Sequence, residues 1–264
     1  MKSELFNNVA DKLNEGYSNE SKPIFCEAGV TRLDQIEKTQ FSPSLMCMDL
    51  LNVEKQIRAL NENFSSLHVD IMDGHFCNSI HLSPSFLKAI RNITKLTIEV
   101  HLMVENPENY VHSLLEFGAD IIILHAETIT THAFRLINEI KNNEKKVGVA
   151  VCPVTPLSHI EHLLSDIDML TLMAVDVGYV GQPLIDSVLN KILLAKNLKK
   201  QHGYNYVIQC DGGVKKSTYK KICDSGAENL VIGETALFGK NKDVKIACSM
   251  MKKEFEFALN EGNN

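Results

Sequence analysis

The 264-residue chain contains no Cys-x-x-Cys pair, and its seven cysteines are scattered and odd in number: Cys26, Cys47, Cys77, Cys152, Cys210, Cys223 and Cys248. Neither a disulfide framework nor a thiolate zinc site is expected from that pattern. Reduced, mostly buried thiols in a cytoplasmic protein are expected instead. No apolar run reaches the ~20 residues that cross a bilayer, so no membrane partner is expected. The opening segment, MKSELFNNVADKLNEGYSNESK, lacks the apolar stretch of a secretory signal. Positive charge is not in excess either. Lys and Arg total 27 against 33 Asp and Glu, a formal net charge of -6. There is no global electrostatic case for binding nucleic acid. An anionic ligand would need a local site made of amides, cations or a metal.

What the chain does have is an ordinary globular mixture, 44% hydrophobic and 23% charged. Its length suits one (β/α)8 barrel, which takes about 250 residues. From residue 41 onward short apolar runs alternate with amphipathic stretches. Strands are expected near Ser44–Cys47, Leu67–Ile71, Thr97–Leu102, Ile121–His125, Val147–Cys152, Met169–Val175, Tyr206–Cys210 and Leu230–Ile232. Each is rich in Ile, Val or Leu, as strands buried on both faces are. Helices are expected over Asp49–Asn61, Pro84–Arg91, Pro107–Phe117, Thr131–Asn142, Pro156–Leu164, Pro183–Gln201, Lys216–Ser225 and Lys242–Leu259. Several open on Pro, which is tolerated in a first turn. The repeated FGAD and SGAE place Gly as a helix stop before a strand. Eight strand–helix units point to the α/β class and a (β/α)8 TIM barrel over residues 41–264. An open doubly wound sheet is the alternative. Residues 1–40 form an N-terminal extension outside the repeat and carry no functional reading.

Functional side chains of such a barrel lie at the C-terminal ends of its strands. The expected strand ends are polar here. They supply Ser44, then His68 and Asp70 in LHVDIMDGHF, His101 in EVHLMV and Asp211 in IQCDGGV. His68 and Asp70 are two apart, so in a strand they share a face. If that face is the interior, His68, Asp70, His101 and Asp211 converge. Two imidazoles and two carboxylates suit zinc, iron(II), manganese or cobalt. Singly, each of the four is also explained as a hydrogen-bonded core or cap residue. Glycines form a second group: Gly178 and Gly181 in VDVGYVGQP, Gly212 and Gly213 after the seventh strand, and Gly233 after the eighth. Amides freed of side chains approach phosphate closely, and the last loops of this fold are its usual phosphate cradle. Plain turn glycines are the alternative. Met72, Met103 and Met173 sit near strand ends, where thioethers also serve as core filler.

At these residues the chain resembles the ribulose-phosphate 3-epimerase superfamily. The matching segments are SPSLMCMDLL, HVDIMDGHF, HLMVENPENYV, VDVGYVGQP and CDGGV, spread over about residues 42–260. Within it, SPSLMCMDLL, LHAETITTHAFRLINEIK and VIGETALF look most like the allulose-6-phosphate 3-epimerase branch. The resemblance implies an isomerase that inverts carbon 3 of a ketose phosphate, D-allulose 6-phosphate to D-fructose 6-phosphate, with D-ribulose 5-phosphate as the alternative substrate. It implies one divalent metal on His68, Asp70, His101 and Asp211, with Asp70 and Asp211 also serving as acid and base. Ser44 would bond the sugar. Gly178, Tyr179, Val180, Gly181, Gly212, Gly213, Gly233, Glu234 and Thr235 would hold the phosphate end. Met72, Met103 and Met173 would cushion the enediolate, and the protein would be a homo-oligomer. Three positions depart from the family: Val177 replaces a usual Pro, Cys152-Pro153-Val154-Thr155 replaces an Asn-Pro-x-Thr element, and Glu234 stands where small residues are usual. A decarboxylase of the orotidine-phosphate type would need a Lys two residues after Asp70, where Met72 stands. A non-catalytic sugar-phosphate binder is the remaining rival.

Overall fold

Residues apolar on both sides of an extended chain can be buried only between two layers, and the apolar runs of this chain do that. The computed structural model describes residues 32–261. Its strands are β1 (Gln40–Pro43), β2 (Ser66–Asp73), β3 (Ile80–His81), β4 (Thr97–Met103), β5 (Ile121–His125), β6 (Lys146–Val151), β7 (Met169–Met173), β8 (Val207–Asp211) and β9 (Asn229–Ile232). They form one curled sheet in the order β1-β9-β8-β7-β6-β5-β4-β2-β3. All neighbours are parallel except the two-residue β3, which pairs antiparallel with the end of β2. A parallel bridge between Ser44 and His68 joins the β1 edge to β2 and closes the curl. The outcome is the α/β barrel architecture expected from the sequence.

Alternation along the strands sorts the core into two regions. Outward residues such as Val69, Val100, Ile122, Val149, Leu172 and Leu230 are buried against helices in the main apolar cluster. Ile121, Ile123, Ala150 and Met169 form a separate small cluster with Val207 packed against it. Room is tight there: a Cβ added at Gly148 would lie 2.8 Å from Ile123 Cγ1. On the facing strands a buried polar belt takes over. Ser42 Oγ donates to Glu99 at 2.9 Å, Gln209 Nε2 donates to Glu99 at 2.8 Å, and Thr171 Oγ1 donates to Gln209 at 2.8 Å. Buried polar groups are tolerated when they satisfy one another in this way.

Helices cover the sheet at Val53–Asn61, Pro84–Arg91, Glu108–Glu116, Ala133–Asn142, Ser187–His202, Tyr219–Ser225 and Val244–Asn260. Two expectations need correction. The first strand is Gln40–Pro43, and Leu45–Cys47 is a 3-10 turn; burial in Leu45 and its neighbours imitates a strand, but the sheet pairing to β9 ends at Pro43. The expected helix Pro156–Leu164 is a 3-10 helix over Leu157–Leu163. A π-type turn, Glu234–Phe238, follows β9. A further helix at Arg32–Lys38 precedes β1, so part of the expected extension is structured. Residues 1–31 of that extension, with Cys26, lie outside the described residues. Among the described residues the other six cysteines form no disulfide. Among the described residues no helix is long and apolar enough to cross a membrane.

Candidate active site

The register of the sheet brings the expected residues together. Asp70 on β2 lies beside His101 on β4, and Met72 beside Met103. Asp211 on β8 lies beside Met173 on β7. Each of these positions has the interior parity of its strand, so the side chains converge at the C-terminal mouth. His68 Nε2 lies 3.2 Å from Asp70 Oδ1, 3.3 Å from His101 Nδ1 and 3.7 Å from Asp211 Oδ2. His101 Nδ1 lies 3.3 Å from Asp70 Oδ1 and 3.4 Å from Asp211 Oδ2. Donors about 2.0–2.1 Å from one ion stand roughly 3.3–3.4 Å apart in a tetrahedral shell. The spacing and the nitrogen–oxygen donor set therefore fit one divalent cation, and all four ligand atoms lie within 4.8 Å of one another.

Three of the four are almost fully buried; Asp211 keeps 15% of its side chain exposed, at the cavity. Burial opposes a positive charge on His68, but Asp70, Glu99 and Asp211 outweigh it and raise that imidazole well above its usual pKa. His101 is likewise disfavoured by burial and raised by its bonds to Asp211 and Asp70. Burial works to raise the Asp70 carboxyl, yet His68 and His101 hold it far below the ordinary range. The cluster thus concentrates charge that a bound cation would organise.

Each imidazole of the cluster is backed by a further polar side chain. His68 Nδ1 lies 3.2 Å from Glu99 Oε2. His101 Nε2 lies 3.0 Å from His125 Nε2, and His125 Nδ1 lies 3.0 Å from Glu127 Oε2. Burial, with the neighbouring His101 charge, pushes the His125 imidazole down to about 4 despite Glu127. Burial works to raise Glu127, but its bonds to His125, Thr155 and the Cys152 amide bring it down to about 2. Glu99, His125 and Glu127 were not anticipated from sequence. The signal available was the His-x-Glu in LHAET, at the end of β5, which repeats the parity of His68-x-Asp70.

A cavity open to solvent lies above the cluster. Met72, Met103 and Met173 line it next to Asp70 and Asp211, and Ser44 lines it with its hydroxyl donated to Asp70 Oδ2 at 2.6 Å. Its far side comprises Gly178, Tyr179, Val180, Gly181, Gly212, Gly213, Gly233, Glu234 and Thr235. The expected positions other than His68 and His101, which are fully buried, are therefore present around one space. Gly212 and Gly213 have φ of +101° and +66°; a Cβ on the first would lie 2.4 Å from Val175 Cγ2, and on the second 2.7 Å from Leu184 Cα. Only glycine fits either position. Among the described residues no Lys or Arg lines the cavity, whereas Asp176 and Glu234 do. Besides backbone amides, an anion there would find only neutral side-chain donors such as Tyr179, Gln182 and Thr235. The Glu234 side chain folds back along its own turn, with Oε1 2.8 Å from where a Gly239 Cβ would sit.

Comparison with known proteins agrees with this geometry. The model described as the ribulose-phosphate 3 epimerase family matches residues 40–238. A ribulose-phosphate 3-epimerase of Bacillus subtilis (strain 168) is 37% identical over 213 residues, 80% of this chain and 97% of that protein. The Methanocaldococcus jannaschii ribulose-phosphate 3-epimerase is 36% identical, over 83% of this chain and 92% of that one. Among solved structures, 3-hexulose-6-phosphate synthase from Salmonella typhimurium superposes with a TM-score of 0.63 at 16% identity, over 83% of this chain and all of that one. At that identity the likeness concerns the fold.

Proposed function

The chain belongs to the ribulose-phosphate 3-epimerase family, isomerases of ketose phosphates, and from that premise we propose that it interconverts D-allulose 6-phosphate and D-fructose 6-phosphate. The observation that carries the chemistry is the convergence of His68, Asp70, His101 and Asp211 beneath a methionine-lined cavity. Support for the hexulose comes from SPSLMCMDLL, LHAETITTHAFRLINEIK and VIGETALF, the segments that look most like the allulose branch. The names of the curated relatives favour a second reading, D-ribulose 5-phosphate to D-xylulose 5-phosphate.

Inverting carbon 3 of a ketose removes a proton beside a carbonyl and returns one on the opposite face. Asp70 and Asp211 come from strands on different sides of the barrel mouth, and we assign one to each face, one ionised and one protonated in each direction. His68, Asp70, His101 and Asp211 would hold a divalent cation, which would supply Lewis acidity to the negative charge that gathers beside carbon 3. Zinc, iron(II), manganese and cobalt all suit the donor set. Met72, Met103 and Met173 exclude water without offering acidic protons, and their polarisable sulfurs sit beside the developing charge. Amides of Gly212, Gly213 and Gly233 would take the phosphate, whose binding energy fixes the reacting carbon between the two carboxylates. Ser44 holds Asp70 rather than acting alone. The family resemblance also carries our reading of a homo-oligomer, and the scattered cysteines carry that of a cytoplasmic location.

A substrate panel tests the assignment. Metal-reconstituted protein should show a higher kcat/KM for allulose 6-phosphate than for ribulose 5-phosphate. The reverse order moves the protein to the second reading. Binding of both sugars with no exchange of the carbon-3 proton would make it a sugar-phosphate binder.

A further inference from the structure

Behind the clustered donors, a polar chain runs from His101 to His125 and Glu127 at the end of β5. His101 Nδ1 faces the cluster, at 3.3 Å from Asp70 Oδ1 and 3.4 Å from Asp211 Oδ2. Its other nitrogen, Nε2, lies 3.0 Å from His125 Nε2. His125 Nδ1 lies 3.0 Å from Glu127 Oε2. Glu127 Oε1 accepts the Cys152 amide at 2.9 Å and the Thr155 hydroxyl at 2.5 Å. Lys191 Nζ donates to the carbonyls of Cys152, Pro153 and Thr155 at 2.9, 2.7 and 2.7 Å, which fastens the loop that supplies both donors.

Only one distribution of protons satisfies this chain once His101 Nδ1 gives its lone pair to a cation. The His101 proton must then sit on Nε2 and be donated to His125 Nε2. The His125 proton is left on Nδ1, aimed at Glu127. Glu127 is an acceptor on both oxygens, so it ends the chain without conflict. We propose that Glu127, acting through His125, is a positioning residue that fixes the tautomer and ring orientation of His101 for metal binding. The inference rests on the reading of the four-residue cluster as a metal site. His125, Glu127 and Cys152 are themselves spaced closely enough to suggest a second metal site, with Cys152 Sγ 3.7 Å from His125 Nδ1. The bonds already made to both Glu127 oxygens speak for the relay instead.

Glu127→Gln keeps shape and volume but not acceptor capacity. One end of the amide carries two N–H groups, and it must meet either the Cys152 and Thr155 donors or His125 Nδ1. In the second case His125 takes its proton on Nε2, against the Nε2 proton of His101. In the first case the Cys152 and Thr155 donors face the misplaced N–H groups and His125 Nδ1 keeps only a neutral, weaker acceptor; in the second, His101 itself faces a misplaced donor.

The test uses the full chain, stripped of metal and reloaded with zinc. Wild type should bind one zinc per chain at the cluster, and 15N imidazole spectra should show His125 protonated at Nδ1 and His101 at Nε2. Glu127→Gln should weaken zinc about 10- to 100-fold in chelator competition, the range for such outer partners, with the His125 Nδ1 signal shifted by a moved proton or a weaker acceptor. Thr155→Val, which leaves the carboxylate in place, should stay within about threefold. The proposal is overturned by a folded Glu127→Gln protein that binds zinc within twofold of wild type. It is also overturned by a second zinc in wild type that the substitution removes. Should Glu127→Gln fail to fold, the wild-type spectra decide, since His125 protonated at Nε2 contradicts the relay. A wild type that binds no divalent metal would instead overturn the metal site itself.

Discussion

Ser44 Oγ lies 2.6 Å from Asp70 Oδ2, while Asp70 Oδ1 faces His68 and His101 at 3.2 and 3.3 Å. The two oxygens of one carboxylate are thereby given separate work: one joins the donor cluster, and the other is steadied by a hydroxyl. The bridge between Ser44 and His68 that closes the sheet puts the hydroxyl there.

Ser44→Ala should therefore cost more than a surface hydroxyl would. Both partners are buried, at 5% and 3% exposure. Removing a hydrogen bond to a buried charged group costs about 1.5–3 kcal/mol. Urea unfolding of the metal-free protein should show a loss of that size. A loss below about 0.5 kcal/mol would mean that water replaces the hydroxyl from the cavity side.

Loss of a ligand should be visible without any assay of turnover. His101→Ala removes a donor that faces three others within 3.3–3.4 Å, and zinc content after dialysis against a chelator should fall well below one per chain. Unchanged tight metal in that variant would take His101 out of the site.

The strands were legible because burial on both faces demands long apolar side chains, and Ile121–His125 reads the same in sequence and structure. The two-residue strand Ile80–His81 was not, since so short a segment has no periodicity. Near Ser44 the apolar pattern misled: Leu45 is buried as a strand residue would be, but it belongs to a 3-10 turn. At the site, residues spaced by two at strand ends were readable because strand geometry alone puts them on one face. The His125–Glu127 pair obeyed the same rule but was hidden. Its chemistry depends on His101 from another strand, a relation that only the barrel's register supplies.

Glu234 should have little influence on substrate affinity. Its carboxylate turns back toward Gly239, whereas a fixed negative charge within 4 Å of a phosphate would oppose binding by about 1 kcal/mol even at the dielectric of water. Glu234→Ser should change KM for the ketose phosphate by less than tenfold. Tightening by tenfold or more, worth about 1.4 kcal/mol, would place the carboxylate against the phosphate.

Two carboxylates on opposite faces of carbon 3 make a sharper prediction. A single base would have to swing around the sugar or carry a proton across it, and Asp70 and Asp211 reach the cluster from β2 and β8 instead. Asp70 is enclosed, with 4% of its side chain exposed, and Asp211 opens to the cavity at 15%. In deuterated water each epimerisation should place solvent deuterium at carbon 3 of the product. Asp211→Asn should abolish inversion, while Asp70 goes on exchanging the carbon-3 proton of one epimer only. Because both residues also belong to the donor cluster, metal content must be measured in the same sample. Product formed without solvent label, with internal return of the abstracted proton ruled out by double labelling, would contradict two bases. Full activity in a metal-replete Asp211→Asn protein would remove Asp211 from the chemistry altogether.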